Sequence, residues 1–365
     1  MADDDEGLSY RGAGVDIDAG NEAVSRIRSL VASTRRPEQI SDLGGFAGMM
    51  SLPSGMKDPV LVSCTDGVGT KLLVAIATDR HETVGIDLVA MSVNDLLVCG
   101  AQPLFLLDYI ACDRLRPERI EALVSGIADG CRQSGCALLG GETAELPGMY
   151  APDHYDLAAF AVGVVERDAM LGPSRVREGD VVLALPSSGL HSNGYSLARK
   201  ALLDPEHAGL SLHDPLPGAP TGTVADALLV PTRIYARAFA ALTALPAAPL
   251  HAAAHITGGG LVENPPRVLP DGLGMELDLR DVALPPVFEA IAAQGVSRDE
   301  MRRTFNCGIG MLLIVDAAGV DAVEQALTAI DEPSQRVGRV IAIPDANTGA
   351  SVAAVRFVGD EPGEA

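Results

Sequence analysis

The feature that most constrains this chain is the recurrent joining of short apolar runs to glycine-rich turns. Five segments carry it: TDGVGTK (65–71), LGGETAE (139–145), SSGLHSNG (187–194), ITGGG (256–260) and FNCGIG (305–310). A short run of Val, Ile, Leu or Ala bounded by glycine reads as a buried strand. Glycine in the turn lets backbone N–H groups come close to a ligand, and a following helix N-terminus favours an anion. One such turn also arises for purely structural reasons. Five of them with embedded polar residues point to phosphate ligands. Helical periods fill the spaces between, at 22–33, 82–100, 117–134, from 195 onward, 231–245, 286–294 and 319–330. That alternation predicts an α/β (α+β) chain of two domains. The Gly-, Pro- and charge-rich stretch at 168–180 is the predicted boundary. Residues 1–168 and 169–345 are the expected domains, and 346–365 a tail holding an edge strand and a disordered end. Residues 204–223 read as a surface loop.

Charge narrows the functional classes. Across 365 residues, 27 basic side chains face 49 acidic ones, a net charge of −22. Nucleic-acid binding needs Lys and Arg on phosphates, and the longest cationic runs are the pairs Arg35-Arg36 and Arg302-Arg303. Nucleic acid and anionic membrane surfaces are therefore excluded as expected partners. The lysines are Lys57, Lys71 and Lys200 alone, which singles each one out. Six cysteines without a CxxC pair fit reduced, buried thiols. The acidic N-terminus is not a signal peptide, and the Ala-rich stretch 236–256 is broken by Pro246 and Pro249. A cytoplasmic protein is expected. Neither GxxxxGK[ST] nor GxGxxG occurs, which argues against a P-loop or a standard dinucleotide fold.

The first half carries acids where apolar packing is expected. Asp66 ends a strand. Asp87 and Asn94, seven residues apart, share a helix face with Asp95 beside them. Glu142 follows another strand. Converging carboxylates repel unless a cation lies between them, and Mg²⁺ commonly bridges one or two carboxylates to substrate phosphates. Asp66, Asp95 and Glu142 are the expected metal ligands. Asp108 and Glu145 read instead as structural, capping helices or pairing with Arg. Lys71, five residues from Asp66, is placed to contact a terminal phosphate. His191, flanked by Ser188, Ser192 and Asn193, lies in a loop suited to an anionic substrate, where an imidazole serves as acid, base or hydrogen-bond donor. A plain helix-capping loop explains the same residues. His255 reads as a buried structural histidine. Cys307, with no base in sight, reads as structural.

Taken together, LSYRGAGVDIDAGN (8–21), TRRPE (34–38), GGFAG (44–48), DGVGTKL (66–72), GIDLVAMSVNDLLVCGAQPLFLLDY (85–109), GGETAELPGMY (140–150), SSGLHSNGYSLAR (187–199), ITGGGLVENPPRVLP (256–270) and RTFNCGIGM (303–311) resemble the phosphoribosylformylglycinamidine cyclo-ligases, or aminoimidazole ribonucleotide synthetases. The blocks run in order from about Leu8 to Val340. The resemblance implies ATP-dependent ring closure of formylglycinamidine ribonucleotide, with ATP and Mg²⁺ as cofactors. It also implies a homodimer whose N-terminal domains join sheets and place ATP near the subunit interface. By the same resemblance, Gly44, Gly45, Asp66, Gly67, Gly69, Thr70, Lys71, Asp95 and Glu142 fall to the nucleotide. Ser188, His191, Ser192 and Asn193 fall to the substrate, and His191, Asp66 and Lys71 to catalysis. Arg28 stands where some relatives have Lys. Rival members of the same superfamily are selenophosphate synthetase, a small-molecule kinase such as thiamine monophosphate kinase, and a hydrogenase maturation factor that ends in cysteine. This chain ends Gly363-Glu364-Ala365. A non-catalytic nucleotide-binding protein would be expected to lack the acids that are present here.

Overall fold

The computed structural model describes residues 9–343 and 354–359. The acidic start at Asp3–Glu6 and most of the tail, including its expected disordered end, lie outside the described residues.

Helix α1 (Ile17–Ala32) begins at Asp16, whose carboxylate accepts the backbone N–H groups of Asp18 and Ala19. That cap starts the helix five residues before the apolar period predicts it. A four-stranded sheet follows, built from β1 (Pro59–Gly67), β2 (Gln102–Cys112), β3 (Ala137–Glu145) and β4 (Tyr155–Glu166) in the order β1-β4-β2-β3. β2 and β3 run parallel, so a crossover helix must join them. That helix is α4 (Pro117–Ser134), with Pro at its start and left-handed Gly135 at its end. α2 (Leu72–Thr78) and α3 (Glu82–Leu97) lie between β1 and β2.

α3 is apolar around nearly its whole circumference and is buried to match. It packs on the sheet, against α4, and against the second half of the chain. Glycines permit the α3–α4 approach. A methyl group on Gly126 would overlap the Glu82 carbonyl oxygen, and one on Gly85 would overlap the Leu123 carbonyl. The Gly-Gly pair 140–141 is not the predicted turn. β3 continues through it to Glu145, because a Cβ on Gly141 would strike the Asp108 carboxylate of the paired strand.

The second half holds α5 (Tyr195–Leu203), α6 (Val224–Leu228), α7 (Ala236–Thr243), α8 (Gly260–Glu263), α9 (Pro286–Ala292), α10 (Arg298–Thr304) and α11 (Val320–Thr328). Its sheet combines β5 (Val181–Pro186), β6 (Leu250–His255), β7 (Leu273–Leu277), β8 (Ile309–Val315), β9 (Gln335–Ala342) and β10 (Val355–Phe357) in the order β10-β7-β9-β5-β8-β6. All of its pairings are antiparallel except β10 with β7. β10 supplies the edge strand expected in the tail. The helix predicted at 231–245 forms only from Ala236; before it, Thr232 and Tyr235 turn their N–H groups to Asp87 and Asn94 of α3. One apolar core, including Leu88, Leu96, Leu190, Tyr195, Leu228 and Tyr235, runs across both halves. A second lines the far face of the six-stranded sheet.

Replacing Gly126 with Val should force α3 and α4 apart and lower stability by about 3 kcal/mol. A denaturant titration reads this as a lower midpoint, and an unchanged midpoint would contradict the packing.

Candidate active site

β1 pairs with β4 through Asp66 and Gly67. The DGVGTK segment therefore starts inside the strand and turns at Gly69, whose φ is +72°. Along one row of the sheet, Asp66 lies opposite Ala159, Ala159 opposite Asp108, and Asp108 opposite Gly141. Opposed residues share a face, so Asp66 and Asp108 both look toward the helices. Burial pushes the Asp66 carboxyl upward, and the Asp95 charge adds to the effect. Asp95, near the end of α3, accepts a hydrogen bond from His255 Nδ1 at 2.9 Å, if that nitrogen carries the proton. Asp95 and His255 thus join across the seam, with Asp66 close enough to feel both charges.

Glu142 is not with them. It lies opposite Tyr109, on the other face of the sheet. β3 is also three strands away from β1, about 14 Å at the usual strand spacing. Within one chain, strand order and alternation of faces leave Asp66 and Asp95 as neighbours and set Glu142 of the expected trio apart from them. Among the described residues, no three His, Cys, Asp or Glu side chains gather as a metal-binding group.

The glycines also divide. Gly44, Gly45 and Glu142 line a cleft of about 690 Å³ between α1, the 42–48 loop, β2, β3 and α4. Its walls include Val24, Ile27, Val124 and Leu138, with Asp108 on the floor. Asp66, Gly67, Gly69, Thr70 and Asp95 lie outside it, toward the seam. Thr70 reaches across that seam to Ser196, with the hydroxyl oxygens 3.3 Å apart.

Lys71 departs most from expectation. It is fully buried, its ammonium 2.7 Å from Asp87, and it donates to the carbonyls of His191 and Val230 at 3.0 and 2.7 Å. Two carbonyls and the Asp87 ion pair thus surround the ammonium, and burial holds its pKa below the usual lysine range. Contact with a terminal phosphate is corrected accordingly. His191 is equally enclosed. Its backbone is left-handed, with φ +60°. Nε2 accepts from the N–H of Ser188 at 3.2 Å and of Arg233 at 3.5 Å, while Nδ1 has no partner. Burial, with nearby His255, Lys71 and Arg233, holds the ring well below its ordinary pKa. Walled off from solvent, the ring braces the loop, and this enclosure, with no exposed face, is what the structure sets against its expected acid–base role.

The rest of the loop does face the seam. Ser188 is exposed and donates to the Pro231 carbonyl at 2.6 Å. The Ser192 and Thr232 hydroxyl oxygens are 3.1 Å apart. Asn193 accepts from the Gly258 N–H at 3.0 Å, tying this loop to the TGGG turn. Glu145 is structural as expected, although it holds the backbone N–H groups of Asp16 and Leu115 rather than an arginine. Cys307 is structural too, its thiol pushed up to about 12 by burial. His255 and Asp87 are the residues that sequence reasoning undervalued. The signal for His255 was its place at the end of a buried Ala-rich strand, directly before TGGG.

Asp108 makes neither a helix cap nor an arginine pair among the described residues, and burial pushes its carboxyl up to about 7. The folded chain keeps this proton at pH values where the unfolded chain, in the ordinary carboxylate range, has released it. Stability should therefore fall as pH rises from about 4 to about 7. Asp108→Asn should melt with the parent near pH 4 and above it at pH 8. A pH-independent difference would show that ionising Asp108 costs nothing.

Family comparisons agree with this architecture. The model of the AIR synthase related protein N-terminal domain matches residues 47–165, and that of its C-terminal domain matches residues 177–348. A phosphoribosylformylglycinamidine cyclo-ligase of Sorangium cellulosum is 54% identical over 339 residues, covering 93% of this chain and 97% of that protein. Among solved structures, a thiamine-monophosphate kinase from Stenotrophomonas maltophilia is similar at a TM-score of 0.64 and 21% identity, covering 93% of this chain and 96% of that one. The hydrogenase maturation protein HypE in complex with ATP is similar at 0.63 and 18%, covering 92% and 91%. At such identities the two structures speak for the fold alone. Identity of 54% across nearly the whole length of both proteins does more: this chain belongs to the phosphoribosylformylglycinamidine cyclo-ligase family.

Proposed function

We propose that this protein closes the imidazole ring of formylglycinamidine ribonucleotide at the expense of ATP, releasing aminoimidazole ribonucleotide, ADP and phosphate in purine biosynthesis. The observation that carries this is the near full-length identity to the Sorangium cyclo-ligase. The geometry is consistent with it. Ring closure must expel an amide-type oxygen, a very poor leaving group, and phosphoryl transfer from ATP to that oxygen makes it leave as phosphate while an amidine nitrogen attacks the carbon. For such chemistry a protein mostly positions groups and neutralises charge.

Asp66 and Asp95 fit Mg²⁺. They are neighbouring carboxylates, and burial together with mutual repulsion raises Asp66, a cost that a divalent cation would relieve. Two carboxylates with open positions for phosphate oxygens suit this ion. When bound, Mg²⁺ would offset the charge developing on the transferred phosphoryl group. His255 orients Asp95 across the seam. Ser188, Ser192 and Asn193 line the substrate side. The glycine-lined cleft, with its apolar walls, suits the nucleotide base. Residues 1–168 form the nucleotide-binding and dimerisation unit in this reading, and 169–345 complete the cleft.

The proposed homodimer rests on the sheet face turned away from the helices. Leu61, Tyr109 and Phe160 there are 62%, 42% and 45% exposed, more apolar surface than one sheet face usually leaves in water. Two copies stacked about a two-fold axis parallel to the strands would set β1 of one over β3 of the other. That arrangement brings the Asp66 edge toward the Glu142 edge. A cytoplasmic setting agrees with six free cysteines. No helix among the described residues is long and apolar enough to cross a membrane.

The purified protein with ATP, Mg²⁺ and formylglycinamidine ribonucleotide should yield a diazotisable aminoimidazole and ADP in equal amounts; ADP without the aminoimidazole sinks the reading. Asp66→Asn should cut kcat/KM for Mg²⁺-ATP about tenfold or more while the melting temperature stays close to the parent's. Phe160→Asp should shift the protein to monomer in analytical ultracentrifugation, and a persistent dimer would place the interface elsewhere.

A further inference from the structure

The Lys71–Asp87 ion pair is fully buried, and nearly every other bond it makes crosses the seam. Lys71 and Asp87 belong to the first half of the chain. The Lys71 ammonium donates to the carbonyls of His191 and Val230 and lies 5.6 Å from the centre of the Tyr195 ring. One Asp87 oxygen accepts both the N–H and the hydroxyl of Thr232, at 2.7 and 2.6 Å. The Thr232 hydroxyl in turn meets Ser192. The neighbouring N–H of Arg233 lies 3.5 Å from His191 Nε2, which also takes the N–H of Ser188. Two charges from one half thus hold both backbone strands that frame the substrate loop, including the left-handed residue at its centre.

Stability alone is a weak reason for such a pair, since desolvating two charges offsets much of their attraction. Well-packed apolar replacements of both partners are often neutral or stabilising. What an apolar pair cannot supply is direction, meaning three donors and an acceptor aimed at fixed carbonyls and a fixed threonine.

We propose that Lys71 and Asp87 are positioning residues for ring closure: across the seam they fix the 187–194 loop so that Ser188, Ser192 and Asn193 meet the ribonucleotide. The proposal rests on the cyclo-ligase reading above. It assigns Lys71 a task on the substrate side and none on ATP.

The test is the double variant Lys71→Met with Asp87→Leu, which removes both charges together. It should melt at or near the parent temperature and bind Mg²⁺-ATP with unchanged affinity in calorimetry. Its KM for formylglycinamidine ribonucleotide should rise about tenfold or more. Parental KM and kcat in the folded double variant would overturn the proposal, and so would a loss of ATP affinity matching the loss of substrate use. Should the double variant fail to fold, Thr232→Val decides. It keeps the side-chain shape and the backbone bond to Asp87 but drops the hydroxyl that links Asp87 to Ser192. A raised substrate KM with parental melting and ATP binding supports the proposal; an unchanged KM overturns it. A parent enzyme that forms no aminoimidazole would refute the functional reading itself, an outcome distinct from either of these.

Discussion

A polar group buried inside a protein must find its partner there, and helix α3 imposes that requirement on the whole molecule. α3 is enclosed on nearly every side, yet it carries Asp87 and Asn94 one face-repeat apart. Water cannot satisfy them, and an unmatched buried carboxylate would cost several kcal/mol. Apart from Lys71, which lies in the same half as α3, their partners come from the other half of the chain. Lys71 and Thr232 take Asp87, while the Arg233 carbonyl and the Tyr235 N–H take the Asn94 amide. The seam is therefore a bonded surface, continuous with the apolar core that spans both halves.

The placement of the chemistry follows. With α3 locked, its last turn holds Asp95 at the seam beside the end of β1, where Asp66 emerges. His255 closes the gap from the opposite side. The loops that would handle substrate hang from the same fixed frame, with His191 as a buried, neutral brace and Asn193 joined to the TGGG turn. The glycine-lined cleft lies at the opposite edge of the same sheet, against α1 and β3. In the proposed homodimer, the exposed apolar sheet face would bring this cleft of one copy toward the Asp66 edge of the other.

Much of this was legible in the residues, for identifiable reasons. Alternating apolar runs and helical periods located nearly all the strands and most of the helices, because period reports which face is buried. The shared face of Asp87 and Asn94 followed from spacing alone, and the structural character of Cys307 from the lack of a partner base nearby in sequence. The errors have a common physical origin. Lys71 looked like a phosphate ligand because a scarce cation beside a glycine-rich turn is indistinguishable in sequence from one beneath it. Glu142 looked like a partner of Asp66 because one-dimensional spacing carries no strand order. The Gly140-Gly141 pair looked like a turn because sequence does not show that Asp108 needs the room.

The sequence by itself determined the class of fold, the family and the set of residues capable of the chemistry, since these depend on composition, periodicity and ordered motifs. Only the tertiary structure decided which of those residues meet. Strand order separated Glu142 from Asp66, burial turned Lys71 and His191 from reagents into supports, and the seam brought His255 to Asp95. Contact between residues more than a hundred positions apart depends on topology and on the desolvation of buried charge, and local sequence encodes neither.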